Sequence, residues 1–471
     1  MNAEDFRKHA YELIDWIIDY YQKIEELPVK SPVNPGDIYS QLPEHPPEAP
    51  ESFEAIKNDI DDIILKGVTH WQHPSFHAYF NANSSFPSIL GELLSAGLGV
   101  QSMMWDTSPA AAELEERVVD WLRDAMGMPG DWKGCIQDTG STSTLCAILA
   151  AREKVTGHRV NEEGLFNSKN LVVYASEQAH SSIEKAVKIA GIGSCNLRKI
   201  GVDVDFAMVP EELEEAIKND IDKGNIPIAV IASTGTTGST AFDPVPAIGK
   251  IAQKYDIWLH IDAAYAGTAA LCPEERWMNE GLELVDSYVF NPHKWMMVNF
   301  DCSVLWLKDY KDYVRTFEAK PEYLKSDRDH QVNNYKDWGI QLGRRFRSLK
   351  LWFVLRSYGI EGIREKIRLH NEIAKAFERK ISTTPHFEIL APVKVPLVCF
   401  RYNPPSLSEE KKDQFNKKLM DHLNQSGKVY LTHTKLNRKF TLRAVFSQTN
   451  VQMKHADKLH TLLLNAIEEV S

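Results

Sequence analysis

The sequence contains no run of about 18 apolar residues that could span a bilayer, and its first residues, MNAEDFRKHAYEL, lack the basic stretch and apolar core of a secretion signal. Its six cysteines (Cys135, Cys146, Cys195, Cys272, Cys302 and Cys399) are scattered without any CxxC spacing and mostly lie in apolar runs. Buried free thiols in a reducing compartment are therefore expected, with neither disulfides nor a metal site. Positive charge is in short supply: 54 Lys and Arg against 65 Asp and Glu give a net charge of −11, which argues against a nucleic-acid or acidic-membrane surface. Internal repeats and low-complexity tracts are missing too, and the serine-rich stretch after Asp138 has no GxSxG elbow of a hydrolase. What remains is an ordinary globular composition, 43% hydrophobic and 25% charged over 471 residues, enough for two or three domains of a soluble cytoplasmic protein.

Phe6, Ala10, Leu13, Ile14, Ile17, Ile18 and Tyr21 recur at helical spacing, so the chain opens with an amphipathic helix whose apolar face needs a partner. Seven prolines between 28 and 50 forbid regular structure there and suggest an extended arm, followed by a helix at about 52–66. Residues 1–85 are thus expected to form a helical arm suited to dimerisation. From 86 to 358 helical segments alternate with short apolar runs. SPAAAELEERVVDWLRDAMGMPG is a punctuated helix, capped by Ser108 with Pro109 in its first turn. NLVVYAS (170–176), IAVIAS (228–233) and IWLHIDAAY (257–265) lack strict alternation, as strands covered on both faces do. Ser181 with Glu184 reads as a capping box, and Asp243 with Pro244 as a helix start. The expected fold is α/β, with a mainly parallel central sheet that binds ligands beyond its strands' carboxyl ends. Residues 318–337 read as a long polar loop, mobile and functional, and 359–471 as a small C-terminal α+β domain.

NPHKWMMVNF (291–300) sets Lys294 in a run apolar enough to be buried, where an ammonium group is costly and its pKa falls. Three other polar features also follow strands: His180 in SEQAHSS, Thr236 and Thr237 in STGTTGST, and Asp262 in HIDAAYAG. Singly each has a plainer reading: a snorkelling lysine, a buried histidine, a strand-end carboxylate. Together, in this order, they are what pyridoxal 5′-phosphate (PLP) requires: an amine to form a Schiff base, a carboxylate to keep the pyridine nitrogen protonated, and a flat ring to stack on the cofactor. QDTGSTST (137–144) adds hydroxyls, a glycine and a helix start able to hold a phosphate dianion, although it could be a plain helix N-terminus.

From GVTHWQHPSFHAYF through SPAAAELEERVVDWL, QAHSSIEKA, HIDAAYAG, NPHKWMMVNFDCS and PEYLK to LGRRFRSLKLWFVLRSYG, the sequence resembles aromatic-L-amino-acid decarboxylases, PLP-dependent enzymes of the aspartate-aminotransferase fold. The resemblance implies Lys294 as the Schiff-base lysine, Asp262 as partner of the pyridine nitrogen, His180 stacked on the ring and Ala264 on its other face. It implies a phosphate cradle of Thr139, Gly140 and Ser141 with Asn291 and His293, a cofactor contact at Thr237, and Tyr323 as proton donor to the substrate Cα from a loop that closes over the site. It further implies a homodimer with active sites at the subunit interface and an aromatic pocket from Trp71, Tyr79, Phe80, Asn81 and Ala82, with Met103 from the facing subunit. Gly343 stands where relatives carry glycine, which leaves room for an indole, or serine, which goes with phenols. Tyrosine at 323 and histidine at 180 favour plain decarboxylation over aldehyde formation.

Three residues depart from the family pattern: Asn81 where proline is expected, Ser102 where glycine is expected, and His77 where an aromatic ring is expected. They suggest a more polar pocket, suited to hydroxylated rings such as tyrosine or DOPA.

Overall fold

The computed structural model describes residues 1–165, 169–319, 321–324 and 327–470. Apolar runs become strands because both faces are covered. Seven of them, β1 (Lys133–Gln137), β2 (Leu171–Ser176), β3 (Leu197–Ile200), β4 (Ile226–Ser233), β5 (Trp258–Asp262), β6 (Ser287–Phe290) and β7 (Ser303–Leu307), form one sheet in the order β1-β7-β6-β5-β4-β2-β3. Only β7 runs against its neighbours, β1 and β6; β6, β5, β4, β2 and β3 are parallel. All six residues of β2 are buried, as a sheet with two covered faces demands. The helix Gly140–Thr156 lies against it through Cys146, Ile148 and Ala151, in one core with Val173 and Ile231. The fold is therefore the α/β architecture expected, with the carboxyl ends of β1, β2, β4, β5 and β6 on one edge.

This sheet belongs to a unit of Ala82–Asn371 with Ala391–Leu397; a second unit comprises Met1–Asn81, Glu372–Leu390 and the chain from Val398 onward. The second unit holds a four-stranded sheet, β8 (Phe387–Ile389), β9 (Leu397–Tyr402), β10 (Thr432–Leu436) and β11 (Lys439–Val445), in the order β10-β11-β9-β8, with helices Glu409–Gln425 and Met453–Val470. Its first helix, Ala3–Lys23, is fixed by a capping box between Asn2 and Asp5, yet buries none of its residues. The proline-rich arm packs at its start: Val29 is fully buried, donates its N–H to Gly427 and accepts from His70.

Two local expectations need correction. Ser181 has helical backbone angles and makes no side-chain cap bond. The first N–H of that helix, on Ser182, goes instead to His180 Nδ1 at 3.1 Å. Nor does Asp243 cap the helix Val245–Lys254, whose N-cap is Pro244. Its buried carboxylate takes the N–H groups of Ser233 and Met208, each at 2.7 Å, pinning the loop after β4, and burial pushes its pKa up to about 6. In the loop 318–337, residues 320, 325 and 326 lie outside the described residues. Its far end is anchored: Tyr335, Lys336 and Asp337 are buried, and the Lys336 ammonium bonds both oxygens of Asp337 and the Ala319 carbonyl.

Candidate active site

Asp262 ends β5, in register between Ser233 of β4 and Val289 of β6. That register aims its carboxylate off the sheet edge, where Oδ1 accepts the Ala264 N–H at 3.0 Å. Four residues past Phe290 of β6, a one-turn helix Pro292–Trp295 carries Lys294. Desolvation lowers the Lys294 pKa and the Asp262 carboxylate pulls it back up, so a basic amine and a carboxylate face each other within electrostatic reach.

His180 follows β2 and feels both groups. Desolvation lowers its pKa, with Asp262 opposing and Lys294 reinforcing the shift. Its tautomer is set by geometry: Nδ1 receives the Ser182 N–H at 3.1 Å and lies 2.7 Å from the Ser182 hydroxyl. A nitrogen that accepts an N–H cannot carry a proton, so the neutral ring has its hydrogen on Nε2 and Ser182 Oγ donates to Nδ1.

The helix after β1 supplies the cradle. Thr139 is its N-cap and takes the Thr142 N–H on its hydroxyl, which leaves the N–H groups of Gly140 and Ser141 without intrahelical acceptors. A Cβ on Gly140 would lie 3.2 Å and 3.3 Å from the two side-chain amide atoms of Asn291 and 3.6 Å from Ala264 Cβ. Gly140, Ala264 and Asn291 thus converge, and Asn291 N–H donates to the Ala264 carbonyl at 3.0 Å. Asn291 Oδ1 is buried without a hydrogen-bond partner among the described residues, so the cradle has an unsatisfied polar atom as well as donors. Ser141 and Thr237 are exposed on the same edge. Gly235, with φ +94°, passes so close to Ala266 that a Cβ would sit 2.6 Å from its methyl, which fixes the turn carrying Thr237. A helix N-terminus with hydroxyls and an amide, next to a neutral histidine and a lysine paired with a carboxylate, fits a phosphorylated pyridine aldehyde.

His293 turns inward: its Nδ1 accepts the Cys302 N–H at 2.9 Å, its ring packs 4.8 Å from Phe300, and burial pushes its pKa down to about 3. Tyr323 is 79% exposed in the short turn Glu322–Leu324. Trp71, Tyr79, Phe80 and Asn81 belong to the smaller unit, where Trp71 stacks on Tyr79 at 5.6 Å and Tyr79 adopts φ +52°. Ala82, Met103 and Gly343 belong to the larger one.

The three departures are all buried. Asn81 is buried, donating to the Phe76 carbonyl at 3.1 Å and accepting from Ser447 Oγ at 2.8 Å. His77 is buried with Nδ1 on the Val445 carbonyl at 2.9 Å, and burial pushes its pKa down to about 3. Ser102 is buried as well. Asn81 and His77 thus spend polar atoms on bonds within the smaller unit, while Ser102 Oγ is buried without a hydrogen-bond partner among the described residues. Sequence reading also missed Asn83, Asp138 and Ser182. Asp138 Oδ1 accepts the Thr139 N–H at 2.5 Å while Oδ2 accepts the Gln341 amide at 3.0 Å, tying the cradle to the segment after the long loop. The pattern S/T/D-x at a helix start was the available signal for Asp138; nothing in sequence pointed to Asn83.

Residues 35–403 match the pyridoxal-dependent decarboxylase conserved domain. The chain is 45% identical to phenylacetaldehyde synthase of Arabidopsis thaliana, covering 97% of this chain and 94% of the relative. It is 43% identical to tyrosine decarboxylase 2 of Narcissus pseudonarcissus over 97% and 92%. A crystal structure of Oryza sativa TDC with PLP and tryptamine superposes with a TM-score of 0.96 at 35% identity, covering 100% of this chain and 99% of that one.

Proposed function

Because the chain belongs to the pyridoxal-dependent decarboxylase family, we propose that it removes CO2 from an aromatic L-amino acid (tyrosine, DOPA, tryptophan or phenylalanine) and releases the arylalkylamine. The observation that carries this reading is the desolvated Lys294 amine facing the Asp262 carboxylate beside a helix N-terminus that converges on Ala264 and Asn291. When bound, PLP supplies an electron-accepting ring for the electrons of the breaking Cα–carboxylate bond. Lys294, its charge disfavoured by burial, would hold the cofactor through its Nζ. Asp262 keeps a proton at the ring nitrogen. His180, neutral at Nδ1, offers a flat face without adding a second positive charge. Thr139, Gly140, Ser141 and Asn291 hold the phosphate, with Thr237 as a further contact. Trp71, Tyr79, Phe80, Met103 and Gly343 would contact the substrate's aromatic ring. Tyr323 brings a proton to Cα after CO2 leaves.

We further propose a cytoplasmic homodimer. No described helix is long and apolar enough to cross a membrane. Phe86, Leu90, Leu93, Leu94 and Leu98 expose an apolar face on the helix Phe86–Leu98, and Phe6, Tyr11, Ile14 and Ile18 do so on Ala3–Lys23; such faces are interface candidates.

A second reading, oxidative decarboxylation to an arylacetaldehyde, is favoured by the identity with phenylacetaldehyde synthase. The deciding experiment incubates protein and PLP separately with tyrosine, DOPA, tryptophan, phenylalanine, histidine and glutamate and identifies products by mass. Amine and CO2 from aromatic substrates bear out the first reading; aldehyde, ammonia and peroxide favour the second. Absence of any product points to a PLP-binding protein without turnover.

A further inference from the structure

Gly343 leaves a gap in its own side chain's place, and the structure fills it from another part of the chain. A Cβ built on Gly343 would first meet the side-chain amide of Gln101, Oε1 at 3.5 Å, Nε2 at 3.7 Å and Cδ at 4.0 Å. These are ordinary contact distances, so the amide lies over the glycine without crowding it. The amide is also oriented. Its Oε1 accepts the Arg344 N–H at 3.2 Å, the N–H next along the chain from Gly343. With the oxygen occupied there, the free end of the group is Nε2, a double donor. Gln101 and Gly343 are both exposed, so the donor faces open space.

The Gln101 backbone is equally fixed. Its carbonyl accepts the Thr107 hydroxyl at 2.8 Å, and the next residue, Ser102, donates its N–H to the Arg344 carbonyl at 3.0 Å. The segments 101–102 and 343–344 are therefore strapped together, with one polar side chain laid across the strap. In sequence, glycine at 343 looked like open room; in the structure that room is walled by an amide.

We infer that Gln101 is a specificity-determining residue that hydrogen-bonds a ring hydroxyl of the substrate, so that phenolic amino acids are preferred over phenylalanine and tryptophan. This deepens the proposed function and rests on its placement of Gly343 and Met103 at the ring site. A phenol oxygen accepts the Nε2 hydrogen, whereas a phenyl or indole ring laid there covers the donor and offers it no acceptor.

The test is the ratio of kcat/KM for tyrosine to that for phenylalanine, in the wild-type holoenzyme and in Gln101→Met, which keeps length and removes the donor. The wild type should favour tyrosine, and the variant should lower the ratio about tenfold, the worth of one neutral hydrogen bond. A purely structural role for Gln101 would lower both substrates together and leave the ratio unchanged, with the absorption of bound cofactor as the check that the site is intact. An unchanged ratio, or a wild type that prefers phenylalanine or tryptophan, overturns the inference while the decarboxylase reading stands. A wild type that releases CO2 from no aromatic amino acid overturns both.

Discussion

Asn83 donates its side-chain amide to the backbone carbonyl of Lys294 at 2.5 Å, while its own N–H reaches the His293 carbonyl at 3.2 Å. These two bonds hold the turn that presents Lys294. Asn83→Ala removes the side-chain bond to that turn. Its expected effect is a roughly tenfold weaker hold on PLP, the cost of one hydrogen bond, seen by titrating the apoprotein with PLP and following visible absorption.

Lys294 and Asp262 separate cleanly by experiment. Lys294→Ala should abolish the visible absorption of covalently held cofactor and all turnover. Asp262→Asn should keep the cofactor but lose roughly 10²–10³ in kcat, the scale of one lost electrostatic stabiliser. It should also lower the Lys294 pKa further, because the carboxylate is the group now raising it. The pH dependence of the rate at which PLP adds to Lys294 in the apoprotein reads that shift.

Most of this site was legible because the chemistry sits at strand ends, and strand ends follow from apolar runs. Lys294, Asp262 and His180 were found that way, and the structure places all three on one sheet edge within mutual electrostatic reach. What was not legible depends on contacts distant in sequence. Asn83 and Lys294 are 211 positions apart, and the inward turn of Asn81 depends on Ser447. His293 came into the cradle through the resemblance, but its Nδ1 is taken by the Cys302 N–H, which no spacing reveals.

The His180 tautomer gives a pH prediction. Its pKa lies below the ordinary histidine value, so the ring stays neutral, and activity is retained, until pH falls through that lowered value. The Ser182 hydroxyl donates to Nδ1 and so favours the neutral ring. Ser182→Ala should raise the His180 pKa and move the acid limb of kcat/KM to higher pH, with the alkaline limb unmoved. A pH–rate profile of both proteins checks the direction.

Tyr323 is the proposed determinant of product. Tyr323→Phe removes the proton donor to Cα while keeping the ring, so the carbanionic substrate carbon persists long enough to meet dioxygen. The expected outcome is arylacetaldehyde, ammonia and peroxide in place of most of the amine, measured by mass spectrometry with a peroxide assay. Unchanged amine yield would remove Tyr323 from the reaction.

Behind the Gln101 strap lies a buried ion pair that makes a stability prediction. The Arg344 guanidinium reaches Glu115 Oε1 at 2.6 Å and Oε2 at 3.1 Å and the Ile136 carbonyl at 2.6 Å, and its carbon stands 4.8 Å from the Tyr335 ring centre. Glu115 Oε1 in turn accepts the Ile136 N–H at 2.8 Å, so the pair joins the helix Pro109–Ala125, strand β1 and the segment after the long loop. Removing one charge leaves the other buried and bare, at a cost of about 3–5 kcal/mol. Glu115→Leu and Arg344→Met should each lower the urea midpoint accordingly. The double variant Glu115→Leu with Arg344→Met, which leaves no stranded charge, should recover most of that loss. Additive destabilisation in the double variant would mean that the hydrogen bonds to Ile136, not the charge pairing, carry the stability of this junction.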